Sequence, residues 1–253
     1  MSGTQGFVSS IQTLGTLDGP GVRFAVFLQG CNLRCSCCHN PETWRIATLN
    51  QPYNGENERV SVFGASELAN RAERYRSYFG ADGGVTLTGG EPLVQAQFAF
   101  EFFSECKRRG LGTCLDTSGS IMNSQVEKVL SVTDRVLLDI KYHSDVLYKQ
   151  HVGCSIDATL RFLDELERRN IPVTLRQVLI PSLNDCAENK EFLSSLIRDY
   201  KCIDKVEILP FRKICQVKYD RMGVQFPFAD METPSADIVK EFQSELDECL
   251  KNR

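Results

Sequence analysis

Four of the chain's eleven cysteines fall between positions 31 and 38, and three of them have the spacing C-x3-C-x2-C: Cys31, Cys35 and Cys38. Thiolates are soft ligands that suit iron–sulfur clusters or zinc. Structural zinc usually has four protein ligands, often in two separated C-x2-C pairs, and the sequence contains no second pair. His39 would have to fold back tightly to be a fourth ligand. The spacing therefore favours a 4Fe–4S cluster with one iron open to an exogenous ligand, and zinc or packing thiols are the alternatives.

Other residues with useful chemistry lie near the ends of predicted strands. Asp139 and Lys141 share one face of their strand, because side chains alternate along a strand, and a plain ion pair is the alternative interpretation. A Gly-Gly-Glu sequence alone is equally typical of an ordinary strand-to-helix turn. The positions concerned are Gly89, Gly90, Glu91, Asp116, Asp139, Lys141 and Arg212, and Arg176 lies within the fifth predicted strand. Ligands bind at the carboxyl ends of strands in parallel α/β folds, so this placement is coherent.

The elements that must position these residues follow from apolar runs that alternate with helical patterns. The predicted strands are Phe24–Gly30, Gly84–Gly90, Thr113–Asp116, Arg135–Lys141, Val173–Ile180 and Lys205–Phe211. The predicted helices are Ala65–Phe79, Gln95–Arg109, Ser124–Leu130 with a Ser124/Glu127 capping box, Ser155–Arg169, Glu188–Tyr200 and a last helix that starts at Thr233-Pro234. The second helix is predicted to end just before Gly110, which would be its C′ glycine.

Six strands separated by helices predict parallel pairing with right-handed crossovers. Six units are fewer than the eight of a closed barrel. We therefore predict an α/β fold with an open, partial parallel (β/α)6 barrel, formed as a single domain over residues 1–253, and a doubly wound sheet is the alternative. The polar stretch 45–60 is predicted to be a surface loop.

Composition excludes several classes of protein. The 253 residues are 42% hydrophobic and 25% charged, which is typical of a folded domain, and the net charge of −4 gives no reason to expect nucleic acid or an anionic membrane as a partner. The first residues lack the basic start and apolar run of a secretory signal. Seven scattered cysteines are expected to be buried thiols. These features predict a soluble, monomeric, cytoplasmic protein.

The sequence around the cysteines resembles a known family. The segments Gly15–Arg23, Phe27–Cys31 and Cys38–Trp44 resemble the glycyl-radical-enzyme activating enzymes of the radical S-adenosylmethionine superfamily, most closely those that activate pyruvate formate-lyase. The resemblance covers nearly the whole chain and weakens after about Arg212. It implies a radical S-adenosylmethionine fold with a cysteine-bound 4Fe–4S cluster.

The resemblance also implies a mechanism and partners. S-adenosylmethionine chelates the open iron, and one electron from the reduced cluster cleaves it to methionine and a 5′-deoxyadenosyl radical. That radical removes a hydrogen from a glycine Cα of a pyruvate formate-lyase or near relative, in an anaerobic enzyme reduced by flavodoxin or ferredoxin. Residues 39–105 contain no cysteine, so one cluster is expected.

The roles of individual residues are implied in the same way. The three cysteines hold the cluster, and Lys141 acts with them at the catalytic centre. The positions implied to contact S-adenosylmethionine are Cys37, Cys38, His39, Gly89, Gly90, Glu91, Asp139, Ile140, Lys141, Arg176 and Arg212. The positions implied to hold a monovalent cation are Asp116, Thr117, Leu137 and Asp139. Asp18 is implied to contact the partner's glycine loop, and a turn that anchors the N-terminal segment is the alternative.

Three positions depart from the family pattern. Cys37 stands where an aromatic residue is usual, Ser182 where glycine is frequent, and Arg212 where close relatives have histidine. Cys37 could compete as a ligand. Two other functions are weighed against the activase: a radical enzyme that acts on a small molecule or activates anaerobic ribonucleotide reductase, and a non-catalytic iron–sulfur redox sensor.

Overall fold

A computed structural model describes residues 4–48 and 60–253 of the chain. The described strands form an open, mostly parallel sheet in the order β3-β1-β2-β4-β5-β6-β7-β8. The strands are β1 Gln5–Gly15, β2 Arg23–Leu28, β3 Ser61–Gly64, β4 Gly84–Gly89, β5 Gly112–Thr117, β6 Arg135–Asp139, β7 Val173–Leu179 and β8 Ile203–Pro210. The predicted α/β class with an open parallel sheet is confirmed.

Helices alternate with these strands. They are α1 Ala65–Glu73, α2 Arg76–Phe79, α3 Ala96–Arg108, α4 Ser124–Leu130, α5 Asp145–His151, α6 Ile156–Arg169, α7 Ala187–Asp199, α8 Gln216–Met222 and α9 Ala236–Lys251. No helix among the described residues combines the length and the apolar composition needed to cross a bilayer.

The chain divides into two compact units. The first contains the described residues up to Asn32, together with those of Asn40–Thr117 and Ile121–Val136, and the second contains Leu33–His39, Ser118–Ser120 and Leu137–Arg253. In the first unit β1 pairs antiparallel with β2 and β3, whereas β2, β4 and β5 are parallel neighbours. In the second unit β7 and β8 are parallel. The single-domain assignment stays a prediction.

Each unit has its own apolar core. In the first, Phe98, Phe102 and Phe103 of α3 are fully buried, and the rings of Phe98 and Phe102 stack with centroids 6.2 Å apart. In the second, the last helix buries Phe242 and Leu246. Burying a phenylalanine or leucine side chain contributes roughly 1.5–3 kcal/mol, so these faces of α3 and α9 help to fix the neighbouring strands.

The structure corrects several predicted boundaries. The antiparallel strands β1 and β3 and the short helices α5 and α8 were not expected. The first predicted helix is divided into α1 and α2, because Arg74 and Tyr75 interrupt it. Asn123, rather than Ser124, caps α4 by accepting from the amides of Gln125 and Val126, since its side chain precedes the first turn.

The last helix also starts later than predicted. Ser235 caps α9 and accepts from the amide of Ile238, so Thr233 and Pro234 lie before the helix. Gly110 has a φ of +68°, which confirms its predicted place after α3. The predicted loop 45–60 lies largely outside the described residues.

Candidate active site

The cysteine-rich segment of the second unit is a tight turn. The amide of Cys38 donates a 3.1 Å hydrogen bond to the carbonyl of Cys35, which closes a four-residue turn. Such a turn brings its first and last Cα atoms within about 7 Å of each other, so the C-x2-C spacing places Cys35 and Cys38 close together. Cys35, Cys37 and Cys38 are half-buried thiols. Cys31 lies four positions earlier, in the first unit.

Backbone contacts from the end of α5 hold this turn. The amide of Ser36 donates to the carbonyl of His151 at 2.8 Å, and the amide of Arg34 donates to the carbonyl of Val152 at 3.2 Å. The last carbonyls of a helix have no intrahelical partner, so they are available to accept these bonds. The end of α5 therefore acts as a fixed support for the segment between Arg34 and Ser36.

An acidic side chain joins two cationic side chains beside the end of β6. Asp139 Oδ2 lies 2.6 Å from Lys141 Nζ, and Asp139 Oδ1 lies 3.2 Å from Arg176 Nε. The amide of Ile140 donates to the carbonyl of Arg176 at 2.9 Å, so backbone pairing with β7 sets this arrangement. The structure thus brings together three residues that the sequence singled out. Their contacts form the ion pair that was weighed as the alternative interpretation, extended by a second cation.

Neighbouring charges shift the pKa values of Asp139 and Lys141. Burial opposes the charged form of Asp139, but Lys141 and Arg176 outweigh it and lower the pKa of the carboxyl. Burial likewise opposes the charged form of Lys141, but Asp139 and the thiols of Cys35 and Cys37 raise its pKa well above the usual value. Burial, reinforced by Cys35, raises the pKa of the Cys37 thiol to about 12. Lys141 is therefore a permanent cation close to two thiols.

Two buried polar side chains fix the backbone of Lys141. Its amide donates to the hydroxyl of Tyr148 at 2.9 Å, and its carbonyl accepts from Asn184 Nδ2 at 3.3 Å. Asn184 also accepts from the amide of Ile180 at 2.6 Å. Ser182, in the same turn, has a φ of +64°, a conformation that glycine adopts without strain. Glycine is the residue that the resemblance leads one to expect at this position, and this conformation suits it.

In the first unit, the two glycines at the end of β4 allow backbones to approach closely. A Cβ added to Gly90 would lie 2.2 Å from the carbonyl oxygen of Gly30 and 3.1 Å from Cys31 Cβ. Gly89 has a φ of +119°, and an added Cβ would lie 2.3 Å from the amide nitrogen of Leu28. The glycines thus fit against the strand end that carries Cys31.

The next residue, Glu91, is almost completely buried. Its Oε1 accepts from the hydroxyl of Thr117 at 2.6 Å and from the amide of Leu93 at 3.2 Å, which caps a 3-10 turn over Pro92–Gln95. This carboxylate therefore has a clear structural role. Its implied contact with S-adenosylmethionine stays a prediction.

The residues implied to hold a cation lie at the end of β5 and in the second half of β6. Asp116 Oδ2 accepts from the hydroxyl of Thr88 at 2.8 Å, and Leu137 is buried. Within residues 4–48 and 60–253, no three His, Cys, Asp or Glu side chains lie close enough together to hold a single metal ion. The cation site stays a prediction.

Asp18 lies in a segment that is firmly anchored in the first unit. The carbonyl of Asp18 accepts from the hydroxyl of Thr86 at 2.7 Å, and Thr86 in turn accepts from Arg23 Nε at 3.0 Å. Arg23 is buried and also donates to the carbonyls of Pro20, Asp82 and Val85. The anchoring alternative for this segment therefore has a structural basis, and the contact of Asp18 with a partner stays a prediction.

His39 and Arg212 are joined in the second unit. His39 Nε2 lies 2.9 Å from the carbonyl oxygen of Arg212, so this nitrogen carries the proton and Nδ1 is left as the acceptor. Burial, outweighing that hydrogen bond, lowers the pKa of His39. The ring is therefore neutral near pH 7. The contact uses the backbone of Arg212, so histidine need not occupy that position for the bond to form.

Comparison with known proteins decides the family. The family model for the Radical SAM superfamily matches residues 25–193 of the chain, which include all three spaced cysteines, Asp139 and Arg176. The chain belongs to the radical SAM superfamily. Membership implies a 4Fe–4S cluster and S-adenosylmethionine as cofactors.

Two relatives with high coverage are activating enzymes of pyruvate formate-lyase. The chain is 36% identical over 247 residues to a pyruvate formate-lyase-activating enzyme of Clostridium pasteurianum, with 97% of this chain and 99% of the relative covered. It is 33% identical over 246 residues to the pyruvate formate-lyase 1-activating enzyme of Escherichia coli strain K12, with 96% of each covered.

Solved structures of radical SAM proteins have the same fold. Streptococcus suis SuiB bound to S-adenosylmethionine superposes with a TM-score of 0.63 at 13% identity, over 88% of this chain and 46% of that chain. A domain of a pyruvate-formate lyase-activating enzyme from Bacteroides vulgatus ATCC 8482 gives a TM-score of 0.54 at 19% identity, over 66% of this chain and 94% of that chain. These similarities concern the fold alone.

The residues of the second unit fit an iron–sulfur cluster of this superfamily. Each thiolate of a 4Fe–4S cluster binds its own iron atom, and soft thiolates are the ligands that such clusters require. The turn supplies Cys35 and Cys38 together, and all eleven cysteines are thiols rather than disulfides. Lys141 places a positive charge near thiols that become negative when they bind iron.

Sequence reasoning missed the residues that support this site. Tyr148, Asn184 and Tyr219 contact the backbone of the implied site residues, and Tyr142 is buried beside them. The one sequence signal for any of these residues was that Tyr142 directly follows the predicted site residue Lys141. The others are distant in sequence from the residues that they hold.

Proposed function

We propose that this radical SAM enzyme is an activase that installs a glycyl radical on a partner enzyme of the pyruvate formate-lyase type. The observation that carries the proposal is the 36% identity to a pyruvate formate-lyase-activating enzyme over 97% of this chain. The superfamily model matches residues 25–193, whereas the similarity to this relative covers 97% of the chain. Such coverage favours a shared reaction over a shared fold alone.

In this proposal Cys31, Cys35 and Cys38 hold the 4Fe–4S cluster. When bound, the cluster and S-adenosylmethionine supply the one-electron chemistry that removes a hydrogen atom from glycine. The turn closed by Cys38 and Cys35 keeps two of the ligands at a fixed separation. Cys37 is not a ligand in this proposal, and its half-buried thiol lies within the turn.

Lys141, Asp139 and Arg176 bind the charged end of S-adenosylmethionine in this proposal. The methionyl carboxylate is an anion that pairs with the guanidinium of Arg176, since arginine binds carboxylates in fixed geometry. Asp139 keeps Arg176 and Lys141 oriented before the cofactor arrives, and such preorganisation favours binding. A monovalent cation held by Asp116, Thr117, Leu137 and Asp139 would balance the negative charges of the two aspartates and of the methionyl carboxylate.

The remaining implied contacts complete the proposed cofactor site. His39 offers Nδ1 as an acceptor, while Gly89, Gly90, Glu91 and Ile140 shape the backbone around S-adenosylmethionine. Arg212 acts through its carbonyl, which holds His39 at 2.9 Å.

Asp18 is the proposed contact for the partner's glycine loop. Glycine suits the substrate position because it lacks a Cβ, so its loop can pass close to a cofactor. We further propose reduced flavodoxin or ferredoxin as the electron donor, a monomeric state and a cytoplasmic location. Neither nucleic acid nor a membrane is a proposed partner.

Isotope transfer tests the activase proposal. The reconstituted enzyme is incubated anaerobically with S-adenosylmethionine, a reductant and a glycyl-loop peptide deuterated at the glycine α-carbon. Deuterium should appear in 5′-deoxyadenosine, and Asp18→Ala should weaken this transfer more than it weakens cofactor binding. Transfer from a small metabolite but from no peptide would instead support a small-molecule radical enzyme. Absence of any cleavage by the cluster-loaded protein would support a redox sensor.

A further inference from the structure

Tyr142 is a buried tyrosine whose hydroxyl is not used by the fold. Only 1% of the residue is exposed, and Oη has no hydrogen-bond partner in the part of the chain that the structure describes. A buried hydroxyl without a partner costs about 1–3 kcal/mol, so native proteins rarely keep one. Tyr148 makes the contrast clear, because its hydroxyl, equally buried, accepts from the amide of Lys141 at 2.9 Å.

The neighbours of Tyr142 belong to the support of the cysteine turn. Its ring lies 5.4 Å from the ring of His151, measured between centroids, and 6.3 Å from that of Tyr148. His151 contacts the turn directly, because its carbonyl accepts from the amide of Ser36 and its Nδ1 lies 3.4 Å from Ser36 Oγ. Tyr142 therefore packs near His151, and His151 contacts Ser36, the residue that follows Cys35 and precedes Cys37.

The electrostatics of Tyr142 agree with this position. Burial is the main cause that raises its pKa, and the next causes are the negative charges that Cys37 and Cys35 would carry. The hydroxyl consequently stays protonated and is a hydrogen-bond donor at every working pH. The same two cysteines contribute to the raised pKa of Lys141.

We propose that the hydroxyl of Tyr142 donates a hydrogen bond to a sulfur atom of the bound cluster, and thereby raises the reduction potential of the cluster. The inference rests on the proposed cluster site. A donor to sulfur stabilises the reduced state, because that state carries one more negative charge, and such bonds are a recognised means by which proteins tune clusters. Tyr142 acts as a positioning and tuning residue, and His151 keeps its ring in place.

The test compares wild type with Tyr142→Phe, which removes the hydroxyl and keeps the ring. Both proteins are reconstituted with iron and sulfide, and the cluster is titrated potentiometrically by electron paramagnetic resonance without S-adenosylmethionine, so the cofactor contributes nothing. We expect the equilibrium constant for reduction to fall by up to about tenfold, which corresponds to 59 mV for one electron. Tyr200→Phe is the matched control, since Tyr200 Oη binds Asp164 at 2.7 Å on an exposed surface, and its potential should equal that of wild type.

A second measurement does not depend on a shift in the reduction potential. Electron-nuclear double resonance of the reduced wild-type cluster in H2O and D2O should reveal an exchangeable proton coupled to the cluster, and Tyr142→Phe should lack it. An unchanged potential in Tyr142→Phe, or a wild-type cluster without such a proton, overturns the inference and leaves the activase proposal standing. Failure of wild type to bind any cluster would overturn both.

Discussion

The hydroxyl of Tyr219 donates a 3.1 Å hydrogen bond to the carbonyl oxygen of Cys38, 181 positions earlier in the chain. Tyr219 lies on α8 and is completely buried. Its ring packs on Phe226 with centroids 4.7 Å apart. The last third of the chain thus contributes directly to the support of the cysteine turn.

Removal of this hydroxyl should loosen the cluster. Tyr219→Phe keeps the ring packing and loses one hydrogen bond, which is worth about 0.5–1.5 kcal/mol. We expect the reconstituted variant to release iron to a chelator about threefold to tenfold faster than wild type. Tyr78→Phe serves as the control, because 58% of Tyr78 is exposed. Equal release rates for Tyr219→Phe and wild type would show that the contact does not hold the turn.

The fourth cysteine of the motif should be dispensable for cluster binding. Cys37→Ala should retain a full cluster after anaerobic reconstitution, whereas Cys38→Ala should lose iron, because the turn closes between Cys35 and Cys38. Iron and sulfide content and the absorption spectrum provide the measurement. If Cys37→Ala loses iron while Cys38→Ala keeps it, the ligand assignment is wrong.

Local patterns predicted a large part of this molecule. The six predicted strands carry apolar runs, and most of the residues with unusual chemistry lie near their ends. Asp139 and Lys141 could be paired in advance, because alternation along a strand places them on one face. The strand β1 was missed, and so was every contact that joins distant positions. Nothing in the sequence near Tyr219 indicates that its hydroxyl meets Cys38, because only the packed core brings them together.

Gly90 should be intolerant of any side chain. In Gly90→Ala the new Cβ would lie 2.2 Å from the carbonyl oxygen of Gly30, so the backbone next to Cys31 must move. We expect a loss of about 1–3 kcal/mol in the free energy of unfolding, as for other overpacked sites. Gly64→Ala is the matched control, since no atom lies within 4 Å of its added Cβ, and the change there should stay below about 0.5 kcal/mol. Chemical denaturation of the two apo-proteins checks the prediction, which fails if both variants behave alike.

Asp139 should matter more for S-adenosylmethionine cleavage than for folding. Asp139→Asn keeps the size of the side chain but leaves Lys141 and Arg176 without their shared carboxylate. We expect cleavage to 5′-deoxyadenosine to fall at least about tenfold, while the free energy of unfolding at pH 7 falls by only about 1–3 kcal/mol. A variant with unchanged cleavage and lowered stability would support the ion pair as a purely structural feature.

The same variant should change how stability depends on pH. The pKa of Asp139 is lower in the folded protein than its ordinary value of 3.8, so its contribution is complete above about pH 4 and is lost as the pH falls through the folded pKa. The pKa of Lys141 is raised above 10.5, so its contribution is complete below that pH and is lost as the pH rises through the folded value. The difference in unfolding free energy between wild type and Asp139→Asn should therefore be constant between about pH 5 and pH 9 and should shrink below pH 4. Urea denaturation of the apo-proteins over that range measures it, and a difference that persists unchanged at pH 3 would contradict the assigned ion pair.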